Sequence, residues 1–371
     1  MCTNDNARRR PSAGGSASLC QIASPDVLIR IAEEGAPDQR EAALRTLATS
    51  VALRAERAVI GKSLRALDVG IAELAFLAPG ADAHLTVYDV EHGGDFDLPG
   101  QRARGEGDSP SPDEAVNEAY EGAEKTYDFY KEVFSRDSID GRGLEMVSSV
   151  HYGTEYDNAA WTGAQMIYGD GGGGMFLPGG MTKAIDVIGH ELTHGITDFT
   201  AGLHYSKQSG ALNESFSDVF GSLVKQHGLG QSAQQADWLI GEGILAPALN
   251  GRALRSMKEP GSAHRFDRQP AHMDAYADLP DDDDPRNDHG GVHINSGIPN
   301  RAFYLAAAAM GGNAWEKPGS IWYLTLTERL GPNSGFQAAA ETTAEVAGEL
   351  FGEGGEEEEA VRGAWQAVGV L

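Results

Sequence analysis

His190-Glu191-Leu192-Thr193-His194 constrains this chain more than any other stretch of it. Residues four apart share one face of an α-helix, so both imidazoles can point at one ion if this run is helical. Glu191, next to the first imidazole, can reach a water on that ion. Downstream, Gly210-Ala211-Leu212-Asn213-Glu214-Ser215-Phe216-Ser217-Asp218 offers Glu214 as a third ligand. Two histidines and one carboxylate are the ligand set of a catalytic zinc ion with one position left for water. Ligating histidines usually donate their second N–H to an outer oxygen. Asp218, one turn after Glu214 on the same face, is the candidate for that task, and Asn213 a second one. A histidine pair on a helix can be merely structural, but the added Asn-Glu-x-x-Ser-Asp run makes chance a poor explanation. The pattern implies a zinc-dependent hydrolase; spacing alone does not separate a protease from other zinc hydrolases.

Composition narrows the partners. The 371 residues carry a formal net charge of -26, a field that repels nucleic acid and anionic membrane. A hydrophobic fraction of 41% and a charged fraction of 23% are those of a globular protein long enough for more than one domain. The two cysteines, Cys2 and Cys20, both precede residue 25, so no disulfide framework supports the remainder. The Arg cluster near the N-terminus is not followed by an apolar run, so no Sec signal is visible, and no apolar stretch could span a bilayer. This points to the cytoplasm or to an unconventional export route. No oligomer surface is legible, and the chain reads as a monomer.

Residues 1–20 are polar, Gly/Ser-rich and expected to be disordered. Ser24-Pro25-Asp26 starts a helix with Val27, Leu28 and Ile31 on one face; Gly35 to Asp38 breaks it, and a second helix follows. The pair makes a small helical hairpin ending before residue 50, with 51–82 either helix or exposed linker. His84–Val90 alternates as a strand does, 93–112 reads as a polar loop, and Asp113 opens a long amphipathic helix through Phe134. Leu144–Tyr152 and Met166–Tyr168 read as strands. After residue 185 helices dominate, including one over 213–226. Strands first and helices second give an α+β, two-lobed unit. The expected divisions are 1–20 disordered, 21–70 a helical segment ending between 55 and 83, 84–197 a first lobe with the HExxH helix, and 198–371 a helical second lobe.

Several separate blocks resemble the thermolysin-like neutral metalloproteases, and within them the protealysin subgroup with its short propeptide. They are Asp157-Asn158-Ala159-Ala160-Trp161 with Met166–Gly171, Ile185–Gly189 leading into the HExTH run, Thr197–Leu203, Asp288–Gly297, and Val361–Val370. The resemblance covers about 87–371. It implies a β-rich N-terminal lobe, a mainly helical C-terminal lobe and a zinc cleft between them. It also implies an endopeptidase with one catalytic Zn2+, held by His190, His194 and Glu214, in which Glu191 is the general base. His293, oriented by Asp288, and Tyr205 would stabilise the oxyanion. Arg255 would bind a substrate carbonyl, while Asn158, Ala159 and Trp161 would take the peptide as an added strand. Phe176, Val187 and Leu254 would line the pocket after the scissile bond, so cleavage falls on the amino side of bulky hydrophobic residues in peptide or protein substrates. Family relatives are secreted, which competes with the cytoplasmic reading.

Two departures matter. The family's double calcium site is matched at Asp186, Asp237 and Glu242, but Lys225 and Leu239 occupy the other positions. A lysine among the carboxylates and a leucine without an oxygen ligand predict that this double Ca2+ site is lost. Cys20-Gln21-Ile22-Ala23-Ser24-Pro25-Asp26-Val27-Leu28 resembles the subgroup's opening propeptide motif, with Ser24-Pro25 for the usual Pro-Pro. The resemblance implies a precursor whose own propeptide inhibits it. Cys20 is a candidate thiolate ligand to the zinc, with simple packing as the alternative. The acidic run Asp281–Asp284 reads as a solvated loop. The rival functional class is a retired metalloprotease-like scaffold that binds a partner; it has no need of Glu191, His293, Tyr205 and Arg255 together.

Overall fold

The computed structural model describes residues 19–66, 84–282 and 284–371. The disorder expected for 1–20 falls outside the described residues up to residue 18. Cys20, at the end of that stretch, is buried in a strand.

A six-stranded sheet forms the first lobe. Its strands are β1 (Cys20–Gln21), β2 (Leu85–Asp89), β3 (Gln101–Gly105), β4 (Met146–Val150), β5 (Ala159–Trp161) and β6 (Met166–Tyr168), arranged in space as β1-β5-β6-β4-β2-β3. β2, β4 and β6 run parallel, whereas β3, β5 and β1 join antiparallel. Parallel neighbours need a long crossover. The connection from β3 to β4 is helix α3 (Glu114–Phe134), which starts where the Asp113 side chain accepts the Ala115 N–H at 2.9 Å. β3 corrects the polar loop expected over 93–112. Its sequence, Gln-Arg-Ala-Arg-Gly, lacks an apolar alternation, and pairing with β2 makes it a strand.

Two helices precede the sheet in sequence, α1 (Pro25–Glu34) and α2 (Pro37–Ala66). α2 continues well past residue 50, where the hairpin was expected to end. Val27, Leu28 and Ile31 of α1 are buried in the same apolar core as the catalytic helices. Each such side chain contributes about 1.5–3 kcal/mol when fully buried, so the hairpin is docked on the body of the molecule. Ala42 of α2 meets the glycine loop after β6: a Cβ on Gly174 would lie 2.9 Å from the Ala42 Cβ.

The second lobe is helical: α4 (Ile185–Asp198) at the junction, then α5 (Lys207–Leu229), α6 (Asp288–Asn295), α7 (Gly297–Met310), α8 (Lys317–Leu324), α9 (Phe336–Phe351) and α10 (Glu356–Ala367). A two-stranded ribbon, β7 (Leu239–Ile240) with β8 (Arg255–Ser256), lies between α5 and α6. α5 starts at Lys207, before the expected Asn213: Ser206 is extended, Lys207 is left-handed at φ 48, and the helix then runs on through Gly210. Asp281, Asp282 and Asp284 are exposed, as a solvated loop requires.

Candidate active site

α4 is buried from Asp186 through Thr197, and α5 crosses it. The crossing is made by glycines. A Cβ on Gly221 would stand 2.3 Å from the Asp186 carbonyl oxygen, and one on Gly189 would lie 3.2 Å from the Gly221 Cα. Only residues without Cβ allow this approach, and it brings Glu214 and Asp218 of α5 under the histidines of α4.

His190 and His194 face each other, with their Nε2 atoms 3.0 Å apart. The His190 Nδ1 meets Asp218 Oδ1 at 2.8 Å, and the His194 Nδ1 meets Asn213 Oδ1 at 2.8 Å. Both partners accept, so each Nδ1 carries the hydrogen and each Nε2 offers its lone pair inward. Glu214 Oε2 lies 3.4 Å from the His190 Nε2, and Glu214 Oε1 lies 3.5 Å from the His194 Nε2. The ligand atoms of these three buried side chains fall within 4.8 Å of one another. Glu214 Oε2 is buried without a hydrogen-bond partner. Converging lone pairs and an orphan carboxylate oxygen fit a divalent cation at the centre, and the nitrogen and oxygen donor set suits zinc.

Electrostatics separate the two histidines: the carboxylates around His190 favour a proton on it that a bound cation would replace, whereas His194 is held neutral. Burial holds His194 well below its ordinary range, in the neutral form that ligates. For His190 burial works downward, but Asp218 and Glu214 outweigh it and raise the group. Asp218 is pushed up by burial, yet Arg255 and His190 hold it down at about 2. Asp218 accepts four hydrogen bonds: from His190, from Arg255 through Nε at 2.8 Å and Nη2 at 2.8 Å, and from Asn300 Nδ2 at 2.8 Å.

Glu191 points toward β5. Its Oε2 accepts the Trp161 backbone N–H at 2.8 Å, while its Oε1 is buried with no hydrogen bond. Burial pushes this carboxyl up to about 8. Opposite stand Tyr205 and His293. Asp288 accepts both the His293 Nδ1–H, at 2.6 Å, and the His293 backbone N–H, at 2.8 Å. The chain reaches this pose through left-handed residues at Asp288, His289, Gly290 and Gly291, which turn it sharply before His293. Tyr205 Oη lies 3.1 Å from the His293 Nε2 and donates to Glu214. Burial and the Glu214 charge hold the phenol well above its usual value, so it keeps its proton.

The N-terminal segment runs through this site. β1 lies antiparallel on β5, with Cys20 opposite Trp161 and Gln21 opposite Ala160. The His293 Nε2 donates to the Gln21 carbonyl at 2.9 Å, and Arg255 Nη1 donates to the Ile22 carbonyl at 3.0 Å. Ile22 N–H donates to the Ala159 carbonyl at 3.2 Å and Ala23 N–H to Asn158 Oδ1 at 3.0 Å. Phe176, Val187 and Leu254 are buried, as is Ile22, in the large apolar core that runs through both lobes. Cys20 is buried beside Tyr205 and Val292, and it stands outside the group formed by His190, His194 and Glu214. On the far side of Tyr205 an open cavity of about 1000 Å³ is bordered by His204, Lys207, Asp278, Asp281 and His289.

Away from the cleft, Lys225 Nζ lies 3.3 Å from Asp186 Oδ2 and 2.9 Å from Asp237 Oδ2, among the acids that match the family's calcium positions. Sequence reasoning missed Gly189, Gly221, Asn300 and Gln269, whose Nε2 donates to the His293 carbonyl at 2.8 Å. None has a local signature, because each acts across a tertiary contact.

Comparison with known proteins agrees with this geometry. Residues 80–198 match the family described as "Thermolysin metallopeptidase, catalytic domain", and 201–370 match "Thermolysin metallopeptidase, alpha-helical domain". An extracellular metalloprotease of Pectobacterium carotovorum subsp. carotovorum is 44% identical over 96% of this chain and 97% of its own length. Thermolysin of Alicyclobacillus acidocaldarius is 41% identical over 70% of this chain and 46% of its own length. The protealysin precursor of Serratia proteamaculans superposes with a TM-score of 0.79 at 45% identity, covering 95% of this chain and 100% of that one. Helices that cross at Gly189 and Gly221, a two-histidine, one-carboxylate centre and these relatives together show that the chain belongs to the thermolysin-like zinc metalloendopeptidases, close to protealysin, and is made as a precursor.

Proposed function

We propose that His190, His194 and Glu214 hold one zinc ion, and that the matured protein cleaves peptides before bulky hydrophobic residues. A zinc ion held there would supply Lewis acidity to the attacking water and to the substrate carbonyl. Glu191 takes a proton from that water and passes it to the leaving amine nitrogen. Tyr205 and His293 donate hydrogen bonds to the oxygen that becomes negative, and Asp288 holds the His293 ring in position. Asn158, Ala159 and Trp161 align the substrate as an added strand while Arg255 grips its next carbonyl. Phe176, Val187 and Leu254 give the following side chain an apolar seat. The observation that carries this reading is Glu191, whose Oε2 is anchored by Trp161 and whose Oε1 is buried and free of hydrogen bonds. A retired scaffold has no reason to keep such a group. Matured protein should hydrolyse casein, lose that activity in a zinc chelator, and leave new N-termini rich in Ile, Leu and Phe. Chelator-resistant hydrolysis, or cut sites indifferent to the following residue, would contradict it.

The same proposal assigns 21–70, ending between 55 and 83, to an inhibitory propeptide, 84–197 to the first catalytic lobe and 198–371 to the second. Secretion is inferred from relatives named as extracellular; no helix among the described residues is long and apolar enough to cross a membrane. The working form is taken to be a monomer. Calcium is given no role at the family's double site, because the Lys225 ammonium supplies the positive charge that Asp186 and Asp237 need. Adding calcium in the millimolar range should leave the melting temperature unchanged; a rise of about 5 °C or more would show that the site still binds it.

A further inference from the structure

We propose that the peptide bond between Gln21 and Ile22 occupies the cutting position of the precursor's own cleft, so that the zinc-loaded precursor hydrolyses itself there. The inference rests on the catalytic roles assigned above and goes beyond blockage: the inhibitory segment is a bound substrate with a defined scissile bond.

Three independent selections meet on this one bond. The first is the carbonyl. His293, the donor assigned to the developing oxyanion, is hydrogen-bonded to the Gln21 oxygen at 2.9 Å. The second is the direction of the chain. Past Gln21 the backbone pairs with the cleft group by group: Ile22 N–H to the Ala159 carbonyl at 3.2 Å, Ile22 carbonyl from Arg255 at 3.0 Å, and Ala23 N–H to Asn158 at 3.0 Å. A segment bound in the opposite direction would present these donors and acceptors in a different order. The third is the side chain. Ile22 is wholly buried in the core that joins the sheet to the helical lobe, and it is the branched apolar residue that the specificity reading places after the cut. A slip of one residue would move every side chain to the other face of the strand and take Ile22 out of that burial.

Gln21 is fixed from its other side as well. Its Nε2 donates to Ser50 at 2.9 Å and to Tyr156 at 2.5 Å, and its Oε1 accepts from Arg54 at 2.8 Å. Helix α2 therefore holds the residue before the bond, while Asp26 of α1, bridged to Arg268 at 2.7 Å, holds the chain after it. In the reaction, the water oxygen bonds to the Gln21 carbonyl carbon and the C–N bond breaks with its electron pair on the Ile22 nitrogen. Glu191 carries one water proton to that nitrogen. The products are the Gln21 carboxylate and the Ile22 ammonium. Both new ends keep the contacts of α1 and α2, so the nick by itself does not release the segment, and the nicked chain stays latent.

The test uses the full chain. In zinc-loaded protein, terminal mass spectrometry should find a new N-terminus at Ile22, absent in Glu191→Ala. Ile22→Asp should slow its formation about 100-fold, and Ile22→Leu should retain it. Casein hydrolysis after maturation is followed in the same preparation. If casein is cut but the Gln21–Ile22 bond is intact, or a neighbouring bond is cut instead, the register is wrong while the enzyme assignment stands. A readout independent of activity comes from hydrogen exchange in the Glu191→Ala chain. Protected amides at Ile22 and Ala23, losing about tenfold or more of their protection in Ile22→Asp, support the register. Free exchange at both amides in the parent chain overturns it, whatever the outcome with casein.

Discussion

At the scale of single residues, charge is placed by burial and by partners that can be named. His151 shows this outside the cleft. Its Nδ1 meets Asp170 at 2.6 Å and its Nε2 meets Asp113 at 2.8 Å. Its backbone is held in the left-handed region at φ 55, which aims the ring at both carboxylates. Burial alone would lower the imidazole, but Asp113 and Asp170 prevail and raise it above 6.5. A raised folded value stabilises the protein fully below the unfolded value and loses that contribution as pH climbs through the folded one. The melting-temperature advantage of the parent over His151→Gln should therefore be largest near about pH 6 and shrink toward about pH 9. Thermal unfolding across that range checks it, and an advantage that grows with pH would refute the assignment. His151 belongs to no motif in the sequence, and no spacing rule could have found its partners, which come from the N-cap of α3 and the loop after β6.

At the scale of elements, the catalytic centre depends on how closely α4 and α5 approach. Gly221 permits it, since a Cβ there would stand 2.3 Å from backbone oxygen, which cannot swing aside as a flexible side chain can. Gly221→Ala should cost about 2 kcal/mol or more through forced separation of the helices. It should also lower bound zinc below one ion per chain, because Glu214 moves with α5. A variant that melts like the parent and binds zinc fully would show that the crossing has slack. His190, Glu191 and His194 were legible in the sequence because the i, i+4 rule is local. Glu214 and Asp218 were legible for the same reason, being one helical turn apart. Gly221 was not, because its task is set by a different helix. β3 was missed because Arg102 and Arg104 hide its pattern: Arg104 is buried against Asn117 and the Tyr120 ring of α3, so an apparently solvated residue faces inward. β1 has two residues and no strand propensity to detect; it exists only where β5 offers an edge.

At the scale of the whole molecule, one core joins the N-terminal hairpin, the sheet and the helical lobe, and the cleft lies where they meet. The first described residues lie along the edge strand that a substrate would use. On the proposed roles of His293, Arg255 and Asn158, latency and activity would draw on the same hydrogen bonds. The two-lobed α+β architecture was readable from the order of strands and helices, whereas resemblance gave only the inhibitory role of the segment and not its seating on β5.

The central claim is that Glu191 serves as base to a zinc-bound water held by His190, His194 and Glu214. The most direct measurement is the rate of casein hydrolysis by matured Glu191→Ala beside the parent, with zinc content determined in both. The account predicts one zinc per chain in each and a rate lower by about 10²–10⁴-fold in the variant; a fully zinc-loaded Glu191→Ala protein working at the parent's rate would contradict it.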